Sequence, residues 1–161
     1  MTGFVIAALL WFSAAGCGLL AGLYFAFSAF IMTSLDRIGP AAGIAAMNAI
    51  NVDIVKSLFM PLYFGTTVTS GALAIVGLLR WGEPGSLRLL AGGVIFVVGM
   101  FVVTMLFNVP LNNALAAVDP ASSEGAAVWA RYCRDWTMWN HVRTVACTVA
   151  AILFIAALGA R

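Results

Sequence analysis

The chain has 161 residues, of which 63% are hydrophobic and 9% charged; that is too little polar surface for a soluble domain and enough apolar sequence for several bilayer crossings. A formal net charge of +2 is too small to make nucleic acid a partner. The length accommodates four spans with modest loops, and Cys17, Cys133 and Cys147 are too few for a disulfide framework.

The first apolar run extends from about residue 3 to 34. It lacks a basic leader and continues past Ala14-Ala15-Gly16-Cys17 to Met32, well beyond the roughly 7–15 residues of a signal-peptide core, so it reads as a membrane span. Being longer than the ~20 residues a bilayer needs, it is expected to tilt or project. Gly18 and Gly22 form a GxxxG pair with Ala14 and Ala21 nearby, a small-residue face that admits another helix, from the same bundle or from a second copy of the chain. Tyr24 and Ser28, four apart, share a face that points hydroxyls into a bundle.

Asp36-Arg37-Ile38-Gly39-Pro40 ends this helix. Residues 41–56 read as an amphipathic segment, with Ile44, Met47, Ile50 and Ile54 on one stripe and Asn48 and Asn51 three apart. Such a segment lies at the interface as plain packing, or folds over the bundle as a lid that lends amides to a site. The second span, about 58–79, carries Thr66, Thr67, Thr69 and Ser70 on a small polar face, and hydroxyls there usually bond their own or a neighbouring helix. A turn at 80–85 sends the third span, about 87–110, back antiparallel. Thr104, Asn108 and Asn112 repeat every four residues, but Pro110 cannot donate to the Leu106 carbonyl and disfavours helix at Val109. A kink or break is predicted there, with asparagines satisfying the freed groups or the broken backbone lining a cavity.

Asp119-Pro120-Ala121-Ser122-Ser123-Glu124 supplies a helix start with Ser122 or Ser123 as cap. A long helix is predicted from about Gly125 to Leu158. Its first part, with Arg131, Arg134 and Asp135, is wet, and its second part, from about Trp136, is the fourth span. Trp136, Asn140, Arg143 and Cys147 are spaced by four, three and four and fall on one stripe, while His141, the only histidine, lies one residue round. A charge at Arg143, at or just inside the hydrocarbon boundary, costs about 2.5–3.5 kcal/mol on insertion scales unless it is paired or snorkels, which makes it a functional-site candidate.

Four spans put both termini on one side and gather Asn48, Asn51, Asn108, Asn112, Trp136, Asn140, His141 and Arg143, with Tyr24 and Ser28, at the opposite end. Arg80, Arg88 and Arg161 fall on the terminal side and Arg37, Lys56, Arg131, Arg134 and Arg143 on the other; the counts barely separate the two orientations, and the termini are placed in the cytoplasm. One histidine and three scattered cysteines do not make a zinc site, and a bis-histidine haem is beyond one chain. What remains is His141 as a proton acceptor, with Arg143, Tyr24 and the asparagines stabilising an oxyanion, and Trp136 and Trp139 sandwiching a flat apolar molecule from the lipid. A purely structural role for an interfacial histidine is the competing reading.

The stretches GLLAGLYFAFSAFIM, MNAIN, FNVPLNNAL and WTMWNHVRT together resemble the small four-span membrane proteins of the anthrone oxygenase-like family. The resemblance covers nearly the whole chain, and Asn108, Pro110, Asn112, Trp136, Asn140 and Arg143 match its pattern. It implies an all-α membrane four-helix bundle, with an amphipathic segment after the first span and a long, partly extramembrane fourth helix. It also implies oxidation of a flat phenolic anthrone to a quinone by dioxygen, without an organic cofactor or metal, in a multi-pass protein of the bacterial cell membrane. On that reading His141 takes the benzylic proton, and Arg143, Asn140, Asn108 and Asn112 hold the enolate. Tyr24, Ser28, Asn48, Asn51, Trp136 and Trp139 would contact the substrate. The alternatives are a non-catalytic binder of quinones or lipids, or a subunit of a membrane complex, and then a small transporter, suggested by the weak similarity of halves 1–80 and 81–161.

Overall fold

The computed structural model describes residues 3–160, so Arg161, counted above on the terminal side, lies outside the described residues. Five helices make up the fold: α1 (Gly3–Arg37), α2 (Pro40–Ile54), α3 (Phe59–Leu79), α4 (Ser86–Ala116) and α5 (Ser123–Leu158). All but α2 are long and apolar enough to cross a membrane. Phe4, Trp11, Leu19, Val68, Leu79 and Ile152 are exposed on the outside of the bundle, which a protein tolerates where its solvent is hydrocarbon. This is the membrane four-helix bundle that the sequence predicts.

At 36 residues, α5 is about 54 Å long, against a hydrocarbon core of roughly 30 Å. Its start is capped as expected by Ser122, whose Oγ accepts the Gly125 N–H at 2.9 Å. Helix α2 begins after Gly39, whose φ of 88° makes the turn, and lies across the top of the bundle. Its Ile44 and Met47 are buried with Leu115 of α4 and with Trp129, Tyr132 and Trp136 of α5. The Trp129 Nε1–H donates to Asp36 Oδ1 at 3.0 Å, which ties the end of α1 to the start of α5.

Below Tyr24 the bundle is drawn tight by small residues. Ser13 Oγ donates to Thr69 Oγ1 at 2.8 Å. A Cβ on Gly16 would stand 2.1 Å from Thr66 Oγ1, and one on Gly93 would stand 2.3 Å from the Ser70 carbonyl oxygen. The GxxxG pair makes no such approach: Gly18 and Gly22 are exposed, and a Cβ on either would meet nothing within 4 Å. Close packing within this chain therefore uses the stripe Ser13, Gly16, Leu20 and Tyr24 rather than the Gly18/Gly22 face, because the inward side of α1 is set by those buried residues.

The break expected at Pro110 is absent. Helix α4 continues through it to Ala116, and Val109 has helical angles of φ −63° and ψ −46°. Two widened turns, Val97–Val102 and Thr104–Asn108, precede it, and the Val109 N–H bonds the Thr104 carbonyl five residues back. Slipping the hydrogen-bond register by one residue accommodates the proline without ending the helix. Helix α1 carries a turn of the same kind at Phe27–Ile31. Wide turns of this sort occur often at functional sites.

Candidate functional site: an arginine-lined cavity under α2

In the upper half of the bundle the helices enclose a cavity of about 300 Å³, lined by Leu23, Tyr24 and Phe27 of α1, Met47, Ile50, Asn51 and Ile54 of α2, Phe59, Met60, Tyr63 and Phe64 of α3, Thr104, Met105, Val109 and Asn112 of α4, Trp136 and Arg143 of α5, and Val55. A mostly apolar wall with a few convergent polar groups is the usual make-up of a small-molecule site.

Arg143 dominates it. Its side chain is buried, 5% exposed, and it forms no ion pair among the described residues. The guanidinium lies 4.3 Å from the centre of the Tyr24 ring and 5.0 Å from that of Trp136, each cation–π contact offsetting on the order of 0.5–2 kcal/mol of the burial cost. Its Nη2 donates to Asn140 Oδ1 at 2.7 Å, and Nη1 lies 3.5 Å from Thr104 Oγ1. Asn140 in turn donates from Nδ2 to the Tyr24 carbonyl at 2.6 Å and to Ser28 Oγ at 2.7 Å. Asn140 is wholly buried and joins α1 to α5 while aiming the arginine, so its role is to position Arg143 from behind the wall.

Of the other polar lining residues, Thr104 donates to the Met100 carbonyl, Tyr24 donates to Met100 Sδ and Asn112 accepts from Tyr132. Arg143 Nε, Trp136 Nε1, Asn51 Nδ2 and Tyr63 Oη are all buried without a hydrogen-bond partner in the protein, although an unpaired buried donor costs roughly 1–3 kcal/mol. No carboxylate and no histidine is among the lining residues. The site thus presents a fixed positive charge and several N–H and O–H groups inside an apolar container, an arrangement that favours a ligand with acceptor oxygens and negative charge.

The predicted site residues divide into three sets. Tyr24, Asn51, Asn112, Trp136 and Arg143 line the cavity. Asn140, Ser28 and Asn108 stand behind it: Asn108 Nδ2 donates to the Trp136 carbonyl at 3.2 Å, holding α4 to α5. Asn48 is on α2 and is absent from the wall, as are Trp139 and His141. Trp139 stacks on Phe107 at 3.7 Å between ring centres and borders an outer groove with Arg131 and Asp135. His141 is exposed and lines a shallow outer depression with Phe25, Ser28, Ala29, Thr144 and Val145, off the cavity wall. One residue of helix is a rotation of about 100°, so a neighbour of the inward-facing Asn140 cannot share its direction. The structure keeps His141 off the cavity wall and places it in the same outer depression as Ser28, which accepts from Asn140.

Two features of the site have no counterpart in the sequence reading. Tyr63 lines the cavity and is buried; it lies three residues before Thr66 and seven before Ser70, the buried positions of α3, so extending that polar face by one turn would have found it. The inward stripe of α5 also begins earlier than Trp136. Trp129, Tyr132 and Trp136 stack at 5.8 and 5.7 Å, and the Tyr132 hydroxyl donates to Asn112 Oδ1 at 2.8 Å.

No curated protein and no solved structure matches the chain. The family model described as anthrone oxygenase matches residues 57–153, a stretch that takes in α3, α4 and nearly all of α5, and with them Tyr63, Thr104, Asn112, Trp136 and Arg143. The chain belongs to the anthrone oxygenase family.

Proposed function

We propose that the cavity binds a flat, apolar aromatic molecule of the hydroxylated anthrone class as its oxyanion, and that the protein promotes oxidation of that anion to a quinone by dioxygen. The observation that carries the reading is Arg143, a buried cation with no acidic partner among the described residues, in a mostly apolar lining whose residues also hold unpartnered buried donors. Family membership supplies the reaction class.

The wall has no carboxylate or imidazole, so the chemistry rests on stabilising the anion rather than on a side chain that removes its proton. At the membrane surface the substrate's benzylic C–H loses its proton to water. The enolate oxygen then takes the place opposite Arg143 Nε, with Tyr63 and Trp136 as further donors. Dioxygen accepts electrons from the enolate carbon, a C–O bond forms, and the peroxide takes up a proton. Loss of the second benzylic hydrogen with cleavage of the O–O bond releases water and leaves the carbonyl. One CH2 and one dioxygen thus give one C=O and one water. Excluding bulk water keeps the anion's interaction with Arg143 strong.

The test is dioxygen uptake by the purified protein in detergent with a hydroxylated anthrone, quinone formation being followed by its absorbance. One quinone per dioxygen, with a rate that falls 10²–10³-fold in Arg143→Met, about the loss on removing one oxyanion donor, is the expected result. A folded wild-type protein that leaves the spontaneous rate unchanged rejects the oxygenase reading. In that case binding of the quinone alone would favour the non-catalytic binder.

A further inference from the structure

We propose that the cavity loads sideways, from the boundary between headgroups and acyl chains, through a gap between α3 and α4 in which Phe64 and Met105 form the sill that limits the size of the molecule admitted. The inference rests on reading the cavity as a binding site for a membrane-dissolved aromatic, and it adds the path and the residues that set its width.

Three observations define the gap. First, the cavity wall is closed on one side and open on the other. Tyr24, Phe27 and Trp136 are 4%, 8% and 5% exposed, whereas Val55, Phe64 and Met105 are 56%, 49% and 48% exposed while lining the same space. A side chain that is half exposed on the outer surface and also lines a cavity marks its mouth. Second, α3 packs on α4 only as far up as the turn Val97–Val102, and above it the two helices separate. The gap closes below at Phe101, whose ring lies 5.8 Å from Tyr63 and 6.4 Å from Phe64. Third, the height of the mouth is fixed by its surroundings. Its upper edge adjoins the exposed Asp53 and Lys56, which belong in the headgroup layer, and its lower edge lies within the first two turns of α3, among the hydrocarbon chains.

Access from the water above is obstructed by α2, whose Ile44 and Met47 are 0% and 1% exposed against α4 and α5. At the side, by contrast, the mouth is bordered by the Phe64 ring and the Met105 thioether, and methionine is the most adaptable of apolar side chains. An amphipathic ring system dissolved at the interface meets this opening edge-on. No helix has to move to let it in.

A cysteine at Ile50, which lines the cavity from α2, tests the path without any substrate. Cys133 is changed to serine, while Cys17 and Cys147 stay as buried background, and the protein is placed in phosphatidylcholine vesicles. A lipid-soluble N-alkylmaleimide is expected to label Ile50→Cys at least tenfold faster than a charged methanethiosulfonate. Adding Met105→Trp should slow maleimide labelling about tenfold, and adding Phe64→Ala should speed it several-fold. Opposite signs from the two sill variants cannot come from misfolding. Equal labelling by the two reagents, or a maleimide rate indifferent to both sill variants, overturns the lateral path. Failure of the anthrone assay would reject the proposed reaction and leave these labelling rates as predicted, so the two readings fall separately.

Discussion

The half of the bundle around Gly16 and Gly93 and the half around Arg143 are built from the same four long helices and reach opposite results. In the first, glycine and small hydroxyl residues let backbones meet so closely that a Cβ at Gly93 would fall 2.3 Å from a carbonyl oxygen. In the second, tyrosine, tryptophan and arginine hold the helices apart around about 300 Å³, and several buried polar atoms of the lining residues, Arg143 Nε and Trp136 Nε1 among them, lack partners. The closed half packs backbones together; the open half carries buried polar atoms whose missing partners cost stability. Two of the widened turns, Phe27–Ile31 of α1 and Thr104–Asn108 of α4, contribute Phe27, Thr104 and Met105 to the open half.

Substitutions can break that division in either direction. Arg143→Met should produce the largest functional change, a 10²–10³-fold loss of anthrone oxidation, with little loss of thermal stability. Relief of a desolvated charge offsets the unpaired Asn140 Oδ1 left behind, and thermal unfolding in detergent reads the balance. Gly93→Val should do the reverse: overpacking against Ser70 and Ala74 destabilises by about 1–3 kcal/mol or more, while the activity of each folded molecule stays near that of the wild type. Tyr63→Phe removes a buried hydroxyl that has no protein partner, so stability should shift by no more than about 1 kcal/mol, and turnover should fall about tenfold through loss of one donor to the anion. His141→Ala is the smallest change, within about 0.5 kcal/mol in stability as for an exposed position and without effect on turnover. A large loss of activity there would move the proton chemistry to the outer face of α5 and undo the division.

The spans, the lid-like α2 and the stripe Trp136, Asn140, Arg143 were legible because apolar length and helical period are local properties of the chain. The buried arginine was legible for the same reason, as a charge inside an apolar run. Sequence does not show at single-residue resolution which side of α5 faces the cavity: His141, about 100° round from Asn140, lines the outer depression that also holds Ser28. Pro110 does not end the helix because the turn before it is widened, which an α-helical register does not anticipate. Gly18 and Gly22 form the more familiar pattern, yet Gly16 is the residue that packs, since partner choice depends on where Thr66 of α3 lies. The cavity mouth depends on how far α3 and α4 diverge, a distance that no local pattern encodes.

The claim that the open half exists to hold an anion is tested most directly by the spectrum of a bound ligand. A hydroxyanthraquinone, whose ionised form absorbs at longer wavelength than its neutral form, is titrated with protein at a pH about one unit below its own ionisation. The wild type should bind it with the spectrum of the ionised form, and Arg143→Met should bind it more weakly with the neutral spectrum. Equal affinity and a neutral spectrum in both proteins would contradict the account.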